Sequence, residues 1–222
     1  MLTRIDVIGR GRVGAAVAAR LRERGLDLES VDPELVLLCV PDGAIPEVAA
    51  GIPVGPWIAH VSGATPLAAL APHVQRLSVH PLQTFTRARG PEQLDGAWAA
   101  VTGESPAARA IGSELAETLG LRPFELDDRA RTLYHAGAVF ASNYIVALQR
   151  AATLLFESAG APPEALEPLM RRTIENGFEL TGPISRGDWE TVEAHRAAIH
   201  EARPELDTLY ETLAGATLAL AT

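Results

Sequence analysis

Short apolar runs such as RIDVI, LVLLCV and WAAVT recur through the first half of this chain, separated by Gly, Pro, Asp and Ser and by stretches with helical spacing. The runs predict buried strands at 4–8, 35–40, 57–61, 76–80, 98–102 and 122–126, with helices between most of them, including 13–24 and 106–119. Strands that are apolar on both faces and joined by helices lie parallel, through right-handed crossovers. After Leu126 the period is helical throughout. Asp127 and Asp128 are placed to cap and charge a long helical stretch reaching about Ser158, which Gly160, Pro162 and Pro163 end. A second helix is expected over 164–180, the turn TGPISRGD precedes a third, and Pro204 suits the first turn of a last one. The expected organisation is an α/β domain over residues 1–126 and an all-helical domain over 127–222.

The first strand runs directly into GRGRVG, residues 9–14, which opens the helix after it. Gly9 suits a tight turn, Gly11 lets backbone approach a pyrophosphate, and Gly14 lets the helix pack on the sheet. Together with the helix N-terminus, Gly9, Arg10, Gly11, Arg12, Val13 and Gly14 form a candidate dinucleotide phosphate cradle, and the α/β half reads as a Rossmann-type parallel sheet. A glycine turn that binds no nucleotide and an S-adenosylmethionine site are the competing readings. Arg10 and Arg12 either add charge toward phosphates or are simply solvated. The acidic residue expected to bond the adenine ribose is Glu29, with Asp27 as competitor. Between Gly25 and Leu35 there is room for a short strand, LDLES, and a turn, but not for the usual helix and third strand. One βα unit is missing, so this acidic residue does not decide between NAD and NADP.

Ligands of open parallel sheets bind beyond the carboxyl ends of the strands. Three such ends carry polar or special residues: Val40-Pro41-Asp42, Ser62-Gly63 and His80-Pro81. His80 is the first acid/base candidate, a structural hydrogen-bonding role being the alternative. Ser62 either bonds substrate or nicotinamide carboxamide, or caps a helix beginning near Thr65. His135 and Ser142, with Arg131, fall nearly on one helical face, as a polar cleft lining that binds substrate or as a packing network. In TGPISRGD, Asp188 caps the following helix on one reading; on the other, Arg186 clamps a substrate anion.

Composition removes several function classes. The chain has 222 residues, is 47% hydrophobic and 21% charged, and carries a net charge of −9, which disfavours nucleic acid. No apolar run approaches a membrane span and MLTRIDVIG lacks the marks of a signal peptide, so a cytoplasmic protein is expected. All 19 basic residues are arginine, which excludes a lysine base, a Schiff base and a P-loop lysine. Cys39, the single cysteine, lies in an apolar run and reads as inert. The histidines show no ligand spacing, and no metal site is expected.

RIDVIGRGRVG, the strand VLLCVPDGAI and the helix containing YHAGAVFASNY resemble the 6-phosphogluconate-dehydrogenase-like superfamily of NAD(P) oxidoreductases over essentially the whole chain. YHAGAVFASNY and LTGPISRGD are similar to an uncharacterised bacterial branch with a helical C-terminal domain of unknown function. The resemblance implies NADP or NAD as cofactor, with NADP slightly favoured. Relatives that use a lysine on the long helix place an asparagine one turn later; here Asn143 matches the asparagine, while Val139 stands at the lysine position. The HP of His80-Pro81 looks similar to prephenate dehydrogenases, which supports His80 as acid/base and Asn143 as a substrate or nicotinamide contact. The expected activity is hydride transfer to or from a small carbonyl or hydroxy compound, such as a ketopantoate-like 2-oxo acid. The alternative is a non-catalytic NAD(P)-binding sensor or scaffold. The long apolar helices offer more surface than one small Rossmann domain can cover, so a homodimer through the helical domain is expected.

Overall fold

The computed structural model describes residues 2–221. The chain divides into two compact units, Met1–Phe140 and Ala141–Thr222. The first holds a six-stranded sheet: β1 (Ile5–Ile8), β2 (Leu35–Leu38), β3 (Trp57–His60), β4 (Arg76–Leu82), β5 (Trp98–Gly103) and β6 (Arg122–Glu125), in sequential order. Its helices are α1 (Arg12–Glu23), α2 (Ile45–Ala50), α3 (Pro106–Thr118) and α4 (Arg131–Ala141). Both faces of the sheet are covered, which explains why β2 is apolar and buried at every position. In β2 the two-residue period sorts Leu35 and Leu37 into a core with Val17 and Leu21 of α1 and Leu115 of α3. Val36 and Leu38 face the other way, into a core with Ile45, Ile58, Leu67 and Leu70.

Strands β1 to β4 are parallel, but β5 runs antiparallel to β4, with His80 opposite Ala100. This corrects the all-parallel expectation. The connection from β4 to β5 contains a single 3-10 turn, Pro91–Leu94, and no crossover helix, so the chain returns beside β4 in the opposite direction. α3 then supplies a true crossover, and β6 is parallel to β5.

The expected strand LDLES is reduced to one bridge between Arg4 and Asp27, where the Ile5 amide donates to the Asp27 carbonyl at 2.9 Å. No helix or further strand intervenes before β2. Asp27 lies on one side of β1 and β2 pairs on the other, so the chain reverses its direction of travel across the sheet at β1. Such a switch point opens a crevice at the carboxyl end of the strand. Buried Arg20, in the last turn of α1, anchors that helix, donating to Asp95 at 2.6 Å and to the Leu119 and Pro91 carbonyls.

The second unit consists of α5 (Asn143–Ser158), α6 (Leu166–Glu175), α7 (Trp189–Ala202) and α8 (Asp207–Ala221). The helix expected to run unbroken to Ser158 is interrupted at Ser142, whose φ of −129° and ψ of −70° are not helical. The helix expected over 164–180 spans only Leu166–Glu175, because Gly177 at φ 70° and Phe178 at φ 61° turn the chain left-handed. The helical stretch Asp128–Ser158 is long and apolar enough to cross a membrane by length and composition, contrary to expectation. Its apolar content is spread among Tyr134, His135, Ser142, Asn143 and Gln149 rather than held in one run, and such side chains suit protein or water better than hydrocarbon.

Candidate active site

Two features meet at the carboxyl ends of β1 to β4. The first is the glycine loop. Gly9 has φ 112°, and a Cβ there would collide with the Cys39 carbonyl; a Cβ on Gly14 would strike the Gly9 carbonyl. These two glycines are demanded by the packing of α1 against β1 and β2. Gly11 differs: a Cβ there meets nothing within 4 Å, so its bareness preserves open space beside the loop. Gly11 is also the N-cap of α1, with no capping side chain and no acidic residue in the first turn. The first intrahelical bond runs from the Ala15 amide to the Gly11 carbonyl. The amides before it are those that a helix start leaves for an anion, and the residues present fit a dinucleotide pyrophosphate.

Arg10 and Arg12 are exposed on this loop, Val13 is half-buried beneath it, and Val40 and Pro41 continue from Cys39 along its edge. Glu29 is exposed, and its amide donates to Asp27 Oδ1 at 2.9 Å, so the Asp27 carboxylate builds the turn.

The second feature is a polar cluster assembled from β3, β4 and α4. His80 Nδ1 lies 2.8 Å from the Tyr134 hydroxyl, and the His135 ring stands edge-on to His80 at 6.1 Å between centroids. Both imidazoles press on Gly63, where a Cβ would come within 2.7 Å of His135 Cδ2 and 2.9 Å of His80 Nε2. Arg131, 1% exposed, donates to the Ser62 carbonyl and to Thr102 Oγ1 and pairs with Asp128. Asp128 accepts from the Leu67 amide instead of capping the helix, and Asp127 caps the 3-10 turn Asp128–Ala130 before α4, accepting from the Arg129 amide.

Ser62 Oγ donates to Asp42 Oδ2 at 2.7 Å and accepts from the Ala64 and Thr65 amides. It therefore builds the loop after β3 and joins it to the loop after β2. The helix expected near Thr65 is only a 3-10 turn, Leu67–Leu70.

Burial, seconded by His135 and Arg131 and opposed by Asp42, pushes His80 down to about 4. Burial, then Arg131 and His80, push His60 down to about 3. Both folded values lie below the unfolded one, so in acid the unfolded chain takes protons first. The stability of the first unit is expected to be constant in this respect above pH 6.5. It should fall by about 1.4 kcal/mol per pH unit for each histidine as the pH drops toward 4. Urea unfolding at pH 7, 6 and 5 measures this, and His80→Gln should make the fall shallower.

Of the residues singled out in the sequence, the structure brings His80, His135 and Ser62 together. Asn143, Ser142 and Arg186 belong to the second unit, where Ser142 Oγ donates to Asn143 Oδ1 at 2.9 Å. The break at Ser142 removes the single helical face expected to join it to His135. Asp188 caps α7, accepting from the Thr191 amide and hydroxyl, and Arg186 is exposed beside it. Sequence reasoning gave no role to Tyr134 or His60. YHAG at the start of α4 was the available signal, since Arg131, Tyr134 and His135 fall on adjacent turns of one helix.

The family model described as a domain of unknown function, DUF2520, matches residues 97–217, more than half of the chain. The chain belongs to the DUF2520 family. No curated protein matches it. This DUF2520 member is similar in structure to a provisionally assigned NADP oxidoreductase from Bacteroides fragilis, with a TM-score of 0.82, 23% identity and 98% of each chain covered. Protein TM1727 from Thermotoga maritima gives 0.77 at 25% identity, covering 98% of this chain and 97% of that one. An imine reductase from Aspergillus terreus gives 0.64 at 17% identity, covering 96% and 93%. These likenesses establish a Rossmann-like half followed by a helical C-terminal domain for the DUF2520 chain.

Proposed function

We propose that this protein is an NAD(P)-dependent oxidoreductase that moves hydride to or from a small carbonyl or hydroxy compound. The observation that carries the reading is the open space over Gly11 at the start of an uncapped helix, at the sheet's switch point. The backbone of Gly9 to Gly14 would hold the pyrophosphate, with Val40 and Pro41 at the edge and Arg10 and Arg12 adding positive charge. Bound nicotinamide supplies the hydride. Support for NADP comes from the Aspergillus terreus imine reductase, whose complex contains NADPH4, and from the Bacteroides fragilis protein's name. Exposed Asp27, Glu29 and Asp32 favour a ribose hydroxyl over a 2′-phosphate, so NADH is to be tested beside NADPH.

His80 is the group proposed to face the reacting oxygen. Ser62 is left to the loop it builds. Arg131 is enclosed by Ser62, Thr102 and Asp128 and cannot hold a substrate carboxylate. Exposed Tyr144, Val146, Leu169 and Ile174 on the second unit support a homodimer through the helical domain.

Nicotinamide oxidation followed across a panel of 2-oxo acids and simple ketones tests the reading. His80→Ala is expected to lower turnover by about 100-fold, the usual scale for losing a positioned proton donor. Unchanged turnover would remove His80 from the chemistry. Binding of nicotinamide without turnover on the whole panel would favour a sensor over an enzyme.

A further inference from the structure

We propose that Tyr134 is a positioning residue that holds His80 in one neutral tautomer, with its proton on Nε2, so that an uncharged imidazole donates to the substrate oxygen. The inference rests on the reductase reading above and deepens it.

The geometry is an Nδ1 to hydroxyl distance of 2.8 Å between rings set nearly at right angles, 86°, with centroids 5.6 Å apart. The direction of this bond follows from the chemistry of its partners. A phenol is a good donor and a poor acceptor, because its oxygen lone pair is drawn into the ring; the bare nitrogen of imidazole is the reverse. Tyr134 keeps its proton, since burial pushes it up to about 12 against the pull of Arg131. The O–H therefore points to Nδ1, and the imidazole proton is confined to Nε2. Among the described residues, no protein group hydrogen-bonds to Nε2, which lies beside Gly63 at the side shared with His135.

An imidazolium is not available at neutral pH. Burial above all, then His135 and Arg131, disfavour it, His60 lies beyond, and Asp42 favours it while already accepting from Ser62. A neutral donor resolves this. Hydride adds to the carbonyl carbon and the π pair of C=O moves to oxygen. The resulting alkoxide takes the Nε2 proton as Nδ1 takes the proton of Tyr134. The tyrosinate, facing the charge of Arg131, recovers a proton from water, so one hydride and one proton are added overall.

Nitrogen-15 NMR of histidine-labelled protein, with His80 assigned through His80→Gln, reads the tautomer directly without nucleotide. The Nε2–H form is expected in the wild type from pH 6 to 8 and a mixture of tautomers in Tyr134→Phe. In that variant kcat should fall about 10-fold to 100-fold, with the KM for nicotinamide changed less than about twofold. An Nδ1–H wild-type histidine, or a tautomer unaltered in Tyr134→Phe, overturns the proposal. The wild-type spectrum decides even if the variant does not fold. Failure of the protein to bind nicotinamide would overturn the reductase reading while the tautomer was still measured.

Discussion

Replacing Gly11 with leucine is expected to lower dinucleotide affinity by at least about 100-fold, roughly 2.7 kcal/mol, while leaving the protein folded. Gly11 is extended, with φ −71° and ψ −171°, a conformation any residue adopts, and its added side chain meets open space. The loss of a glycine N-cap costs no more than about 1 kcal/mol. The same side chain fills the volume through which a pyrophosphate must approach the amides of α1. Gly14→Ala makes the contrast: its methyl group strikes the Gly9 carbonyl, α1 must move off the sheet, and about 3 kcal/mol of stability should be lost. Thermal melts and nicotinamide titrations of the two variants separate the effects. Equal binding by Gly11→Leu and wild type would mean that the open space is not where the cofactor lies.

Arg131→Met is expected to destabilise the first unit by about 3–5 kcal/mol, the scale for removing one partner of a buried charged network. Arg131 is 1% exposed and ties α4 to the Ser62 carbonyl, to Thr102 and to Asp128. Without it the Ser62 carbonyl loses its donor and the start of α4 its anchor to the sheet. The melting temperature should fall by about 10 °C or more. A second consequence is electrostatic: with the charge gone, His80 should titrate nearer its ordinary value, visible by proton NMR. A shift of less than about 2 °C with an unmoved His80 would show that the network is peripheral.

The strands were legible because most carry a short apolar run bounded by turn residues; β1, β2, β3 and β6 fall within the expected segments, while β4 runs on two residues to Leu82 and β5 one residue to Gly103. The direction of β5 was not, because period and composition are the same in either direction and only the missing crossover helix between Leu82 and Trp98 reveals it. The glycine loop was legible because its spacing encodes backbone contacts local to one turn. The histidine cluster was half legible. His80 stood out at a strand end, but Tyr134 and Arg131 reach it and Ser62 across 54 and 69 residues of sequence, distances at which no periodic signal survives. The first helical stretch was read as running on to about Ser158 because nothing in ASNY announces a break; the departure at Ser142 is a matter of backbone torsion.

Fluorescence titration of the wild-type protein with NADPH and with NADH tests the central claim most directly. Saturable binding of at least one of them, one equivalent per chain and lost in Gly11→Leu, is the predicted result. No saturable binding of either by the folded wild type would contradict it.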